Sequence, residues 1–145
     1  MVESGQERLT PEQAKIVIID DDENITVLLE RILKKKGYVN ASFYNDPTKC
    51  LEEIQKSELF PDLVISDVNM PGMDGPQLLR SIKALAEERS KPVPGFVIMS
   101  ALPDQITPEI REELHLEAVV KKPFPDIFAV PDTVIKTALE SHWNK

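Results

Sequence analysis

Four loops in this chain begin with side chains that can do chemistry, and each follows a short apolar run. Asp20-Asp21 follows Lys15-Ile16-Val17-Ile18-Ile19, Asp67 follows Leu63-Val64-Ile65-Ser66, Ser100 follows Gly95-Phe96-Val97-Ile98-Met99, and Lys122 lies just past Ala118-Val119-Val120. Three carboxylates drawn to one place repel one another unless a cation sits among them or a proton is shared. Mg²⁺ (or Mn²⁺) suits such a set, because it takes oxygen ligands, keeps several waters and uses one or two carboxylates beside phosphate. The Lys122 ammonium suits a phosphoryl oxygen, and the Ser100 hydroxyl can donate one hydrogen bond to another. Together they would disperse the charge of a transferring phosphoryl group. The set contains no His, and Ser100 has no base beside it. A carboxylate is therefore the candidate nucleophile, with an acyl phosphate as its product. Taken singly, each feature has a plainer reading, since an Asp run is a solvated loop, a Ser at a strand end is a cap and Lys-Pro is surface. It is their joint placement that points to chemistry.

That placement depends on the elements that carry the residues. The β-branched run ending at Ile19 has the length and type of a buried strand. Ile25, Leu28, Leu29, Ile32 and Leu33 then recur at helical spacing, with Lys34-Lys35-Lys36 at the negative end of the dipole and Gly37 as the stop. Val39 to Tyr44 reads as a weaker second strand. Asp46-Pro47 reads as an N-cap followed by proline in the first turn, opening a helix with Cys50, Leu51 and Ile54. Val64 and Ile65 suit a strand buried on both faces, and a Pro/Gly-rich turn separates Asp67 from a helix that starts at Pro76 and carries Leu78, Leu79, Ile82 and Leu85. Glu87 to Pro94 is a polar loop. Thr107-Pro108 opens a short fourth helix, and Val134, Ile135, Ala138 and Leu139 mark a last one.

Five strands alternating with five helices imply an α/β fold, a doubly wound parallel sheet with right-handed crossovers and helices on both faces. All strand C-termini then share one edge, where ligands bind in open α/β sheets. Strands one, three, four and five each deliver a chemical group to that edge, and strand two delivers none. Asp22 and Glu23 read as helix N-terminal charges rather than metal ligands.

A chain of 145 residues suits one domain with a real core. With 17 basic and 25 acidic residues its net charge is −8, which argues against nucleic acid or an anionic membrane as direct partner. Cys50 is the only cysteine, so an internal disulfide or a zinc cluster is excluded, and it reads as core packing. Residues 1–14 read as a flexible tail rather than a signal peptide, and no apolar run has membrane-spanning length. The expected compartment is the cytoplasm.

The segments Ile18-Ile19-Asp20-Asp21, Asp67-Val68-Asn69-Met70-Pro71-Gly72-Met73-Asp74-Gly75, Met99-Ser100-Ala101 and Lys122-Pro123-Phe124 together resemble the receiver domain of two-component response regulators. The resemblance covers about Lys15 to Leu139. It implies a flavodoxin-like (βα)5 fold with strand order 2-1-3-4-5, an order that comes with the family and not from the residues. It implies Asp67 as phospho-acceptor, with Asp20, Asp21, Asp67 and the main-chain carbonyl of Asn69 holding Mg²⁺. Ser100, Ala101 and Lys122 would contact the phosphoryl group. The donor would be a phosphohistidine on a sensor histidine kinase or a histidine phosphotransfer protein, and a downstream protein would read the result. Such a chain is a switch that catalyses its own phosphorylation and slow dephosphorylation, not an enzyme in the ordinary sense. Residues 15–145 would form that one domain, with no output domain.

Departures from the family pattern carry expectations of their own. Val119 stands where the family usually has a Tyr or Phe that moves with the Ser/Thr, so a ring-flip switch is not expected. His115-Leu116 stands where a Gly-Ala turn is common, and His115 reads as a surface residue. Leu102 cannot position an attacking water, which suggests a long-lived aspartyl phosphate. The Pro125 to Pro131 segment is longer than usual. A phosphatase of the haloacid dehalogenase type is the nearest rival, through Asp20-Asp21-Asp22, but it lacks a later acidic pair and leaves Asp67 idle. An EF-hand would need Gly at Ile25 and Glu at Arg31.

Overall fold

Alternation within the apolar runs decides which layer each residue enters. In the computed structural model, which describes residues 9–57 and 60–145, Ile16 and Ile18 face one side of the sheet, and Val17 and Ile19 face the other. These four residues form strand β1 (Ile16–Ile19), and all four are buried. At about 1.5–3 kcal/mol for each fully buried aliphatic side chain, the strand is held in the interior from both faces.

Helix α1 (Glu23–Lys35) follows, then β2 (Ala41–Tyr44), α2 (Pro47–Lys56), β3 (Leu63–Asp67), α3 (Gly75–Glu88), β4 (Gly95–Ser100), α4 (Pro108–Leu114) and β5 (Leu116–Lys121). The last helix, α5 (residues 131–143), winds as a π-helix over Pro131–Lys136 and as an α-helix over Thr137–Trp143. All neighbouring strands are parallel, in the order β2-β1-β3-β4-β5. This is the 2-1-3-4-5 order the resemblance implied. Leu29, Leu33, Ile135 and Leu139 pack on the face of Ile16 and Ile18, so α1 and α5 cover that side. Cys50, Ile54, Leu78, Ile82 and Leu114 pack on the other, so α2, α3 and α4 cover it. Cys50 is free and fully buried, and burial pushes its thiol up to about 12, as a packing role requires.

Local signals set the helix ends. The Asp22 side chain accepts from the Asn24 amide at 2.9 Å, and Asp46 accepts from Thr48 at 2.9 Å. Thr107 accepts from Ile110 at 3.2 Å. Asp74 and Gln77 form a reciprocal capping box at the start of α3. Gly37 stops α1 with φ of 91°. His115 ends α4 in the left-handed region, φ 49°, a conformation that is easy for Gly and strained for His. That is the physical content of the departure at this position. The residue is exposed, as expected.

Three features differ in extent from the sequence reading. Strand β5 begins at Leu116 and not Ala118, and a 3-10 turn at Pro103–Gln105 follows β4. The Pro125 to Pro131 segment holds a second 3-10 turn, Ile127–Ala129, capped by Asp126. The expectation of a loose tail lies partly outside the described residues, over 1–8. Pro11–Gln13 forms a 3-10 turn, held where the Asn40 side chain donates to the Gln13 carbonyl at 2.8 Å and Lys136 pairs with Glu12 at 3.6 Å. Among the described residues no helix is long and apolar enough to cross a membrane.

Candidate functional site

The register of the sheet brings the four chemical loops together. Ile19 lies beside Ser66, Asp67 beside Met99 and Ser100 beside Lys121. The residues that leave these strand ends therefore share one rim, at the C-terminal edge where open α/β sheets bind ligands. One oxygen from each of the Asp20, Asp21 and Asp67 carboxylates lies within 4.8 Å of the others. Lys122 reaches into the group, its Nζ 2.7 Å from Asp20 Oδ2 and 3.4 Å from Asp67 Oδ2.

The carboxylates are not equivalent. Asp20 is fully buried, and its second oxygen accepts from the Asp22 amide at 2.9 Å. Asp21 is exposed. Asp67 keeps 13% of its side chain exposed. Its Oδ1 accepts from the Val68 amide at 2.9 Å, and its Oδ2 faces Lys122. Desolvation, Asp20 and the adjoining Asp21 together push the Asp67 carboxyl up to about 6, against the opposing pull of Lys122. For Lys122 burial works against the charged form, but the Asp20 and Asp67 carboxylates outweigh it and raise its pKa. Three carboxylates facing one ammonium leave an excess of negative charge in a mostly desolvated hollow. The donor set fits a hard divalent cation, which would bring oxygen-favouring charge without bulk.

Ser100 is 1% exposed, and its Oγ accepts from the Leu102 amide at 3.0 Å, leaving the hydroxyl proton available to donate. The Lys122 amide donates to the Ser100 carbonyl at 2.9 Å, tying the two loops together, and Lys122-Pro123 is a cis peptide. Ala101 and Asn69 are exposed on the rim loops. Val119 is half-buried and packs toward the α2–α4 core. Leu102 is 60% exposed. All five strand-end groups singled out in the sequence thus lie on one edge, with Asp20, Asp21, Asp67 and Lys122 in a single cluster.

Two contributors were missed. Asn45, at the end of β2, donates through Nδ2 to the Asp20 carbonyl and to Thr26 Oγ1, both at 2.8 Å. Strand two therefore does supply a group, one that braces the main chain of a buried acidic residue. A polar amide right after Tyr44, at the same strand end as the others, was the available signal. Gly75 is the second. A Cβ there would lie 2.4 Å from the Asp67 carbonyl oxygen, while its amide donates to Val68 at 2.7 Å. Only glycine lets α3 start this close to the Asp67 backbone.

Comparison with known proteins gives one consistent result. Residues 16–128 match the family described as the response regulator receiver domain. Sporulation initiation phosphotransferase F of Bacillus subtilis is 33% identical over 122 residues, covering 84% of this chain and 91% of that protein. Chemotaxis protein CheY of Pseudomonas aeruginosa is 32% identical over 111 residues, covering 76% and 85%. Among solved structures, the signal receiver domain of an HD domain-containing protein from Pseudomonas fluorescens superposes with a TM-score of 0.72 at 25% identity, covering 92% of this chain and 99% of that one. A Vibrio cholerae chemotaxis protein superposes at 0.67 with 26% identity, covering 86% and 95%.

Proposed function

The chain belongs to the family of response regulator receiver domains of two-component signalling, and from that premise we propose that Asp67 accepts a phosphoryl group from a phosphohistidine. Receiver domains are phospho-acceptor switches rather than classical enzymes, and they interact with histidine kinases and downstream effectors. The observation that carries the proposal is the Lys122 ammonium held between Asp20 and Asp67, 2.7 and 3.4 Å away, with the three carboxylates gathered beside it on the rim.

In the proposed step Asp67 Oδ2 attacks phosphorus. A P–O bond forms as the P–N bond of the phosphohistidine breaks, and its electron pair returns to the imidazole nitrogen. Lys122 follows the developing charge on one phosphoryl oxygen, and the Ser100 hydroxyl donates to another. Ala101, an exposed residue, lies on the same loop. Asp20, Asp21, Asp67 and the Asn69 carbonyl would hold Mg²⁺ (or Mn²⁺), whose charge would offset that of the phosphoryl oxygens. The chain would thus supply its own catalytic groups, and a small phosphodonor would suffice.

Once Asp67 carries a phosphoryl group, Lys122 has a new partner and Ser100 a reason to turn. We infer that the Ser100–Leu102 loop is the element that moves and that a protein partner reads it. Val119 brings no ring to that movement. Residues 15–145 would act as one switching unit, and a cytoplasmic setting fits its phosphodonor. The test is transfer of labelled phosphoryl from a phosphohistidine protein in the presence of Mg²⁺. Label on the wild type and none on Asp67→Asn supports the reading, whereas equal labelling of both overturns it.

A further inference from the structure

The sheet ends at β2, and among the described residues no further strand pairs with its outer side. The Asn40 carbonyl accepts from the Ile16 amide at 3.2 Å, and the Tyr44 carbonyl accepts from the Asp20 amide at 3.1 Å. Main-chain groups alternate along a strand, so Asn40, Ser42 and Tyr44 turn theirs to β1, and Ala41 and Phe43 turn theirs to the open edge. Edge strands are ordinarily blunted by a lysine, a proline, a bulge or a covering element. The run Ala41-Ser42-Phe43-Tyr44 contains no charge and no proline, and its register with β1 is unbroken. Its side chains alternate as well, and each set borders a groove of its own. Ala41 and Phe43 lie with Tyr38 and Val39 along a groove of about 310 Å³ on the α1 side. Val39, 80% exposed, is the most exposed large apolar residue described. Ser42 and Tyr44 border a groove of about 270 Å³ on the α2 side.

An open edge of this kind accepts another strand. The strand that matches its pattern is β2 itself. Turned about a two-fold axis normal to the sheet, a second copy keeps its apolar side chains on the α1 side and its polar ones on the α2 side. With the axis at Ser42, Ala41 of each chain lies opposite Phe43 of the other. These are the two residues whose amides and carbonyls turn outward, and a small side chain meets a large one across each pair. Charge permits the approach. The chain as a whole carries −8, but each groove beside β2 holds one acid and one base, Glu30 with Lys34 and Glu53 with Lys15. The edge is therefore locally neutral, and two copies meet there without the repulsion that acts over the rest of the surface. We propose that β2 pairs antiparallel with β2 of a second copy of this chain, about a two-fold axis at Ser42, joining two five-stranded sheets edge to edge. None of the paired residues belongs to the acidic cluster, so the contact needs no phosphorylation and goes beyond the phospho-acceptor reading.

A strand of four residues makes a small contact, so a dissociation constant on the order of 100 µM is expected. Sedimentation equilibrium of the full chain, from about 10 µM to about 1 mM, brackets that value, and the wild type should pass from monomer to dimer across the range. Ser42→Lys and Ser42→Glu each set like charges face to face at the axis, and each should weaken the dimer at least roughly tenfold. An equimolar mixture of the two should dimerise again, because lysine then faces glutamate. Ser42 is half-buried at the sheet edge, and urea unfolding curves check that both variants fold. If either fails to fold, Ala41→Pro decides the matter. It removes an amide that faces outward, takes no hydrogen bond from β1, and should leave the chain monomeric. Asp67→Asn keeps the edge and should dimerise as the wild type does, so loss of phosphoryl transfer and loss of the dimer are separable outcomes. A wild type still monomeric at about 1 mM, a dimer indifferent to these edge substitutions, a Lys/Glu mixture that stays monomeric, or a dimer lost in Asp67→Asn would overturn the proposal.

Discussion

Replacing Asp67 by Asn should stabilise the metal-free protein at neutral and alkaline pH, although it destroys the proposed acceptor. Desolvation, Asp20 and Asp21 raise the Asp67 carboxyl from 3.8 to about 6 in the folded chain. Between those values the folded state binds more protons than the unfolded one, so stability falls as pH rises through the window and the full penalty is present above it. At 1.36 kcal/mol per pH unit the shift corresponds to at most about 3 kcal/mol, and solvent reaching the half-open rim brings the expected effect to about 1–3 kcal/mol. Asparagine removes the charge and keeps an Oδ1 able to accept from the Val68 amide, and Lys122 retains Asp20 at 2.7 Å. The assay is urea unfolding in EDTA, followed by circular dichroism, at about pH 8 and about pH 4. Asp67→Asn should be the more stable protein at the higher pH, with the gap closing at the lower. Millimolar Mg²⁺ should raise the wild type and narrow the gap from the other side. A variant that is less stable than wild type at pH 8, or a gap that ignores pH, would refute the electrostatic reasoning about the rim.

Three further outcomes follow from the same geometry. Gly75→Ala puts a methyl 2.4 Å from the Asp67 carbonyl and should cost about 1–3 kcal/mol in urea unfolding while slowing phosphorylation, since α3 must retreat from the acceptor. Asn45→Ala removes both hydrogen bonds that brace Asp20 and Thr26, and should cost about 1–3 kcal/mol and weaken Mg²⁺ binding measured by calorimetry. Leu102 offers no group to hold a water near Asp67, so the purified phosphoprotein should dephosphorylate slowly in Mg²⁺. Leu102→Gln should shorten its half-life, and a wild-type half-life of seconds would count against the idea.

Legibility in the sequence followed the range of the forces involved. Apolar alternation in Ile16–Ile19 and helical spacing from Ile25 to Leu33 are local records of burial on two faces, and they located β1 and α1 within a residue or two. The acidic and basic groups at strand ends were legible because a parallel sheet gathers strand C-termini without further information. For Asn45 the sequence shows only a polar amide at a strand end, which ordinarily means a turn, while its role depends on partners 19 and 25 residues away. The requirement for glycine at Gly75 comes from an approach of α3 to the Asp67 backbone that only tertiary structure fixes. Likewise, the left-handed His115 and the π-wound start of α5 depend on packing that overrides residue preference.

The central claim is that Asp67 is the residue that takes the phosphoryl group, with Lys122 and the acidic cluster beside it. Intact-mass spectrometry after incubation with acetyl phosphate and Mg²⁺ tests it most directly. The wild type should gain the mass of one phosphoryl group, a gain that is absent when EDTA is present throughout the incubation and absent from Asp67→Asn. A phosphoryl adduct of equal yield on Asp67→Asn, or none on a folded wild type with Mg²⁺ present, would contradict it.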